Sequence, residues 1–498
     1  MNLKKILVFF SMVIFLCTGT FKNTFADVPY NGYTYDVYGR SVPTAVAYAP
    51  DKYVTGADTG AGTFKGPEDM YIKDGKVYIL DSGNKRVVIL DENLKAEKII
   101  DKIFDEKGTE YKLNNPGGIF VTEDNRIFIA DTDNHRVISI NTDGKILQQL
   151  GKPASALFPQ NLEFKPRKVI VDKAKDTYVI SDGLYQGAVM YDKDTNFTGF
   201  YGANKVELDA GVLSDYFWKT FFMNKEQRRK TVRNIPTSYT NFYIDKVGFI
   251  YTCLKDDTSM ANVLKKLNSM GNDILRANSK ILGYGDVETA FYSGNQIKSS
   301  LVDVNADSEG FINVIDYTRG RVFQYDQDSN LIAVFGGRSN QVGTFDSPVA
   351  IESLNGKILV LDNKRGDLTT FSLTEFGKWI HTAVKLYNDG LYEASMEPWK
   401  EVLKRDNKLE IAYIGIGKAL LKTGDYRGAM KNFKLGYDTK NYSKAYSLYM
   451  SALIRENISV VVTVLIIIYI TFAVFKRRKK IKSLSKGFQF IKRRVKES

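Results

Sequence analysis

Six residues of this chain have the types and spacing to do chemistry together: Glu68, Asp69, Arg167, Lys168, Asn241 and Asp303. Each lies just after a turn that opens a short apolar run, at positions shared by Gly117-Gly118, Thr240, Val302 and Val349-Ala350. Carboxylates, an amide and two cations brought to one place could grip a polar ligand, and their hard oxygens could hold calcium. Imidazole chemistry has little to work with. The chain has two histidines, His135 in a turn and His381 beyond the last run, so a histidine-ligated zinc centre is not expected.

The elements that would position those residues recur along the chain. Asn115-Pro116-Gly117-Gly118 leads through a short apolar run and a turn at Glu123-Asp124-Asn125 to Ile127–Asp131, then by a tight turn to Arg136-Val137. Period-two alternation with polar turns predicts an antiparallel meander. Further copies begin at Gly66-Pro67, Lys165-Pro166, Asn241, Phe311 and Ser347-Pro348. Asp81, Asp131 and Asp182 head a shared turn in three of them, while Leu254 takes that place in the fourth copy. Four-stranded repeats about 50 residues long predict propeller blades, and six copies predict a six-bladed ring. Asp and Asn at such turns can cap amides, and an Arg five residues later can return the charge, so these residues read as structural.

The pattern resembles the NHL-repeat propeller family over residues 50–375, most clearly at Asp81/Asn84/Arg86 and Asp131/Asn134/Arg136; Gly187 and Asp367 replace the arginine elsewhere. Thr55-Gly56 … Gly62-Thr63-Phe64-Lys65-Gly66-Pro67 mirrors Phe335-Gly336-Gly337 … Gly343-Thr344-Phe345-Asp346-Ser347-Pro348. The segment at Lys52-Tyr53-Val54 should therefore be an outer strand that completes blade six and covers the last edge.

Residues 1–26 read as a secretory signal, cleaved or kept as an anchor, with Lys4-Lys5, an apolar core and Thr24-Phe25-Ala26. Leu16 before Cys17 is too large for a lipoprotein site. Residues 27–49 form an N-terminal segment. The chain holds 70 Lys+Arg against 57 Asp+Glu, a net +13. Residues 1–26 supply +3 and residues 476–498 supply +10, so the remainder is neutral and offers no footprint for nucleic acid. With the signal removed, Cys253 is the one cysteine, and no internal disulfide is expected.

An insertion at 203–237 interrupts the repeats. Phe217/Phe221 and Trp218/Phe222 stand at helical spacing, followed by Arg228, Arg229, Lys230 and Arg233. It packs aromatics on the propeller rim, or grips a partner through Trp218, Phe221, Phe222, Arg228 and Arg229.

After Phe371 the apolar period lengthens. Gly390-Leu391-Tyr392-Glu393-Ala394 and Gly424-Asp425-Tyr426-Arg427-Gly428-Ala429 lie 34 residues apart, which predicts TPR-like helical repeats over residues 376–456, with Pro398 interrupting the first unit's second helix. Ile458–Phe475 carries no charge for eighteen residues and is followed by Lys476-Arg477-Arg478-Lys479-Lys480. That predicts one transmembrane helix, a basic cytoplasmic tail at 476–498 suited to lying on an anionic leaflet, and domains outside the cytoplasm.

The expected fold is multidomain: an all-β six-bladed propeller, α-helical TPR-like repeats and one transmembrane helix. The arrangement resembles the membrane-anchored NHL/TPR proteins of Gram-positive bacteria, and the resemblance implies an association with carbohydrate ABC transporters. The expected function is a binding scaffold for a protein or glycan, without cofactor or catalysis. The alternatives are a calcium-dependent, gluconolactonase-like hydrolase and an envelope-assembly or signalling adaptor.

Overall fold

The computed structural model describes residues 28–159, 161–202, 238–254, 262–275, 283–287, 290–292 and 295–494. The signal at 1–26 and the insertion at 203–237, with Trp218, Phe221, Phe222, Arg228 and Arg229, lie outside them. The described residues fall into two compact units, one ending at Thr382 with Lys404–Asn407 added, the other running from Ala383 without that tetrapeptide.

The first unit is a six-bladed β-propeller. Blade one pairs Asp69–Lys73, Lys76–Asp81, Arg86–Leu90 and Ala96–Ile100; blade two pairs Gly118–Val121, Ile127–Asp131, Arg136–Ile140 and Ile146–Leu150. Blade three consists of Pro166–Val171, Thr177–Ser181, Ala188–Tyr191 and Phe197–Tyr201, and blade five of Leu301–Ala306, Ile312–Asp316, Arg321–Tyr325 and Leu331–Gly336. Among the described residues blade four has three strands, Tyr239–Ile244, Ile250–Leu254 and Leu264–Leu267.

Both faces of the middle strands are apolar because each blade is covered by a blade on either side. Val77, Ile79, Val88 and Leu90 of blade one pack with Ala350, Leu359, Leu361 and Leu368 of blade six. Leu80, Val87 and Ile89, pointing the other way, pack with Ile119, Ile127, Ile129 and Ile138 of blade two. Burying each such side chain contributes about 1.5–3 kcal/mol, so interblade packing dominates stability.

Blade six closes the ring as the sequence predicts: Pro348–Leu354, Lys357–Asp362 and Asp367–Leu373 are followed in space by Tyr48–Thr55 from the other end of the chain. Val54 stands opposite Leu368 and Tyr53 opposite Thr369. Ahead of that strand, Gly32–Tyr35 and Ser41–Thr44 form a two-stranded hairpin.

The turns between third and fourth strands share a device that the sequence reading did not pick out. Asp91, Asn141, Asp192, Asn268 and Asp326 each accept, on Oδ1, the amides of the residues two and four positions later, at 2.7–3.0 Å. The residue before the second donor is left-handed in every case: Leu94, Gly144, Thr195, Gly271 and Ser329. A side-chain oxygen that satisfies two amides offsets the cost of positive φ in the non-glycine cases.

The helices are α1 (Glu375–Asn388), α2 (Tyr392–Arg405), α3 (Glu410–Thr423), α4 (Tyr426–Leu435) and α5 (Thr439–Arg494). Glycine permits their close approach in the second unit. A Cβ on Gly415 would meet the Trp399 indole at 2.3 Å, and one on Gly417 the Phe433 ring at 2.7 Å. Gly417→Val should therefore destabilise the helical unit by about 1–3 kcal/mol, measured as a shift of its own thermal transition; an unchanged transition would mean that α3 and α4 can separate freely.

One expectation about the helices is corrected. Pro398 does not interrupt its helix, since α2 runs through it from Tyr392 to Arg405. The lost amide bond is one among several, and burial of Pro398, Trp399 and Val402 holds the helix together across it. α5 is continuous for 56 residues, because nothing between Ile454 and Ile458 breaks a helix. It is long and apolar enough to cross a membrane, and the apolar window is wholly exposed.

Candidate functional site

The register predicted from the turns brings Asp69, Gly118, Lys168, Asn241, Asp303 and Ala350 to equivalent places on the six inner strands, opposite Leu80, Ala130, Ile180, Cys253, Ile315 and Leu361. A bulge just before that position in blades three to six turns the preceding residue aside. Arg167 is therefore not in the channel: its Nε lies 3.2 Å from the exposed Asp182 carboxylate. Glu68 also stands apart, accepting from Asn363 Nδ2 at 2.9 Å, and burial pushes its pKa up.

The other four converge and are buried or nearly so. Lys168 Nζ donates to Asp69 Oδ1 at 2.6 Å, spanning blades three and one. Asp69 Oδ2 accepts the Ile119 amide of blade two at 2.8 Å. Asn241 of blade four donates to Asp303 Oδ1, which also accepts the Val304 amide at 2.8 Å. Asp303 Oδ2 accepts the Ile351 amide of blade six at 2.7 Å. These bonds tie blades one, two and three to each other at the axis, and blades four, five and six to each other.

Beneath them lies a layer that the sequence reading missed. Asn305 Nδ2 donates to Glu352 Oε2 at 2.7 Å and Ser353 Oγ donates to Asn305 Oδ1 at 2.6 Å. The signal was present: polar residues inside otherwise apolar inner strands, at Asn305 and at Glu352-Ser353.

The charges do not balance, with three carboxylates around one ammonium. Burial works against the charge on Lys168, but the Asp69 and Asp303 carboxylates outweigh it and hold its pKa above the ordinary value. Burial pushes Asp69 up, and Lys168 opposes this. Asp303 is pushed up to about 7, by burial first. Burial, reinforced by Asp303 and Asp69, drives Glu352 well above the carboxylate range. Three donors aim at Asp303 and favour its anion against the burial that pushes it up. What this arrangement does is fasten the ring. Among the described residues no group of three or more His, Cys, Asp or Glu is placed to hold a metal ion. A calcium ion at Asp69 would have to displace the Lys168 ammonium.

At the top of blade two, Asp131 is fully buried. It accepts the Asn114 amide (2.8 Å), Asn134 Nδ2 (2.8 Å) and Arg136 Nε (2.9 Å). Residues 113–138 match the model of the NHL repeat. Blade two carries an NHL repeat. Its anchor recurs in blade one as Asp81 with Asn84 and Arg86.

Blade three departs from the expected NHL anchor. Ser181, not Asp182, accepts the equivalent amide, that of Lys165, at 3.0 Å. A serine is long enough to cap one amide, and no arginine sits beside it to require a carboxylate. Blade five keeps Asp316 on the Ser300 amide but diverts Arg321 to Asp286 Oδ2 at 2.5 Å. Asp286 gathers Tyr33 and Tyr35 of the N-terminal hairpin with Arg319, so it bolts that hairpin to the ring. In blade six Arg365 pairs with Asp367 at 2.7 Å.

No curated protein sequence matches the chain. Similar solved structures include virginiamycin B lyase from Staphylococcus aureus, at 9% identity over 66% of this chain and 100% of that one, TM-score 0.39. A streptogramin B lyase has 12% identity over 62% and 94%, TM-score 0.38. A protein of unknown function from Bacteroides thetaiotaomicron has 12% identity over 68% and 80%, TM-score 0.40. They carry nothing about chemistry to this chain.

Proposed function

We propose that this protein is a membrane-anchored, non-catalytic binding scaffold whose propeller and TPR-like helices recognise a protein or glycan outside the cytoplasm. The observation that carries the reading is the mutual commitment of the channel groups: Asp69 is spent on Lys168 and Asp303 on the Ile351 amide, so both aspartates serve the ring. Recognition then falls to the propeller faces and the helices. The fully exposed apolar stretch of α5 supports the anchor. Ten Lys and Arg lie within twenty residues after Phe475, against three in the twenty before Ile458, a bias that supports a C-terminal tail on the inside.

The test has two arms. The intact protein should stay with membranes through alkaline carbonate, and Ile466→Arg with Ile467→Arg should release it, since each arginine costs about 2.5–3.5 kcal/mol at a span's centre. Cross-linked protein recovered from its own membranes should bring permease or solute-binding components if the partner is an ABC transporter. Reproducible absence of such components counts against that partner, and calcium-dependent turnover of sugar lactones would sink the non-catalytic reading.

A further inference from the structure

The neutral balance of residues 27–475 hides a local excess. Residues 410–455, covering α3, α4 and the start of α5, hold eight Lys or Arg against Glu410 and two Asp. Both aspartates are spent on helix starts: Asp425 accepts the Gly428 amide at 2.9 Å and Asp438 the Asn441 amide at 3.0 Å. Among the described residues none of the exposed cations Lys422, Arg427 and Lys431 is ion-paired. Lys422 lies over the Tyr392 ring, and Arg427 Nε donates to Tyr449 on α5 at 2.9 Å.

That last contact sets the height of the patch. Arg427 is pinned beside Tyr449, nine residues before Ile458 on one unbroken helix, which is about 14 Å along the axis. Lys422 ends α3 at the same end of the unit, and Lys431 is one turn farther along α4. Headgroups extend about 5–7 Å beyond the hydrocarbon, and the screening length is about 8–10 Å, so Lys422 and Arg427 stand inside the field of a charged surface, and Lys431, about 20 Å out, reaches toward it with its side chain. Arg455, about 4–5 Å before Ile458, falls among the headgroups themselves.

We infer that this basic end of the helical unit, Lys422, Arg427, Lys431 and Arg455, docks on anionic phospholipid headgroups of the leaflet through which α5 enters, on the side opposite the basic tail. It holds the repeats against the membrane at a fixed height. The inference rests on the anchor proposed above.

The experiment places the full-length protein in nanodiscs of phosphatidylcholine alone or with phosphatidylglycerol, and reads lysine acylation by mass spectrometry. Lys422 and Lys431 should lose reactivity roughly threefold or more when phosphatidylglycerol is present, as expected where each basic residue gains from an anionic surface. Lys440, at the far end of α4–α5, should not change. The loss should vanish near 1 M salt, where the screening length falls to about 3 Å. Arg455→Gln should enter discs normally and weaken the phosphatidylglycerol protection of Lys422 and Lys431. Equal reactivity of both lysines in the two discs overturns the inference. So does protection by soluble polyphosphate without protection by phosphatidylglycerol, which would mark a polymer-binding face. Failure to enter discs at all would overturn the anchor itself, a separate result.

Discussion

Lys168→Met is expected to destabilise the propeller by about 3–5 kcal/mol, because Asp69 is left with a buried charge and no counter-charge. Asp69 cannot turn to water: it is 5% exposed, and its second oxygen is held by the Ile119 amide. The replacement keeps the stem's packing and removes only the ammonium, so the loss reports the pair. Adding Asp69→Asn should restore most of the stability, since an amide needs no counter-charge and can still accept from Ile119. Urea unfolding of the single and double variants measures both. A Lys168→Met protein as stable as the parent would show that the axis of the ring is not what fastens it.

The second large effect is a loss of stability toward alkaline pH. Asp303 and Glu352 have folded-state pKa values raised above their unfolded ones. A raised carboxyl stabilises fully below its unfolded value near 4, and that stability is lost as pH rises through the folded value. For Asp303 the window runs from about 4 to about 7, and Glu352, raised in the same direction by burial, adds to the fall. The unfolding free energy should fall by a few kcal/mol between roughly pH 5 and pH 8, in opposition to ordinary acid denaturation. Glu352→Gln should flatten the slope, because the amide is neutral throughout and can still accept from Asn305. A slope unchanged in this variant would move the proton to another group.

Much of the ring was legible in the sequence, for a reason particular residues make plain. Blade turns use local chemistry, so the three-residue framework Asp81/Asn84/Arg86 and its copy at Asp131 mark strand ends wherever they fall. The mirrored Gly-Thr-Phe segments betrayed the closure by Tyr48–Thr55. Asp182 misled because Ser181 can cap the same amide; two capping residues in a row leave a one-residue ambiguity that only register resolves. Pro398 misled because local propensity was weighed without the burial around it.

The candidate site was legible as positions and not as partnerships. The sequence by itself determined which residues open the inner strands, since that depends on contacts a few residues apart. It also determined the apolar stretch of α5 and the excess of cations after it. Only the tertiary structure decided that Lys168 meets Asp69, 99 residues away, that Asn241 meets Asp303, and that Arg167 turns outward. It alone decided that Arg321 leaves its blade for Asp286 and that Arg427 fixes α4 on α5. Those choices depend on which strands the ring places side by side and on which face each bulge presents, and no local pattern encodes either.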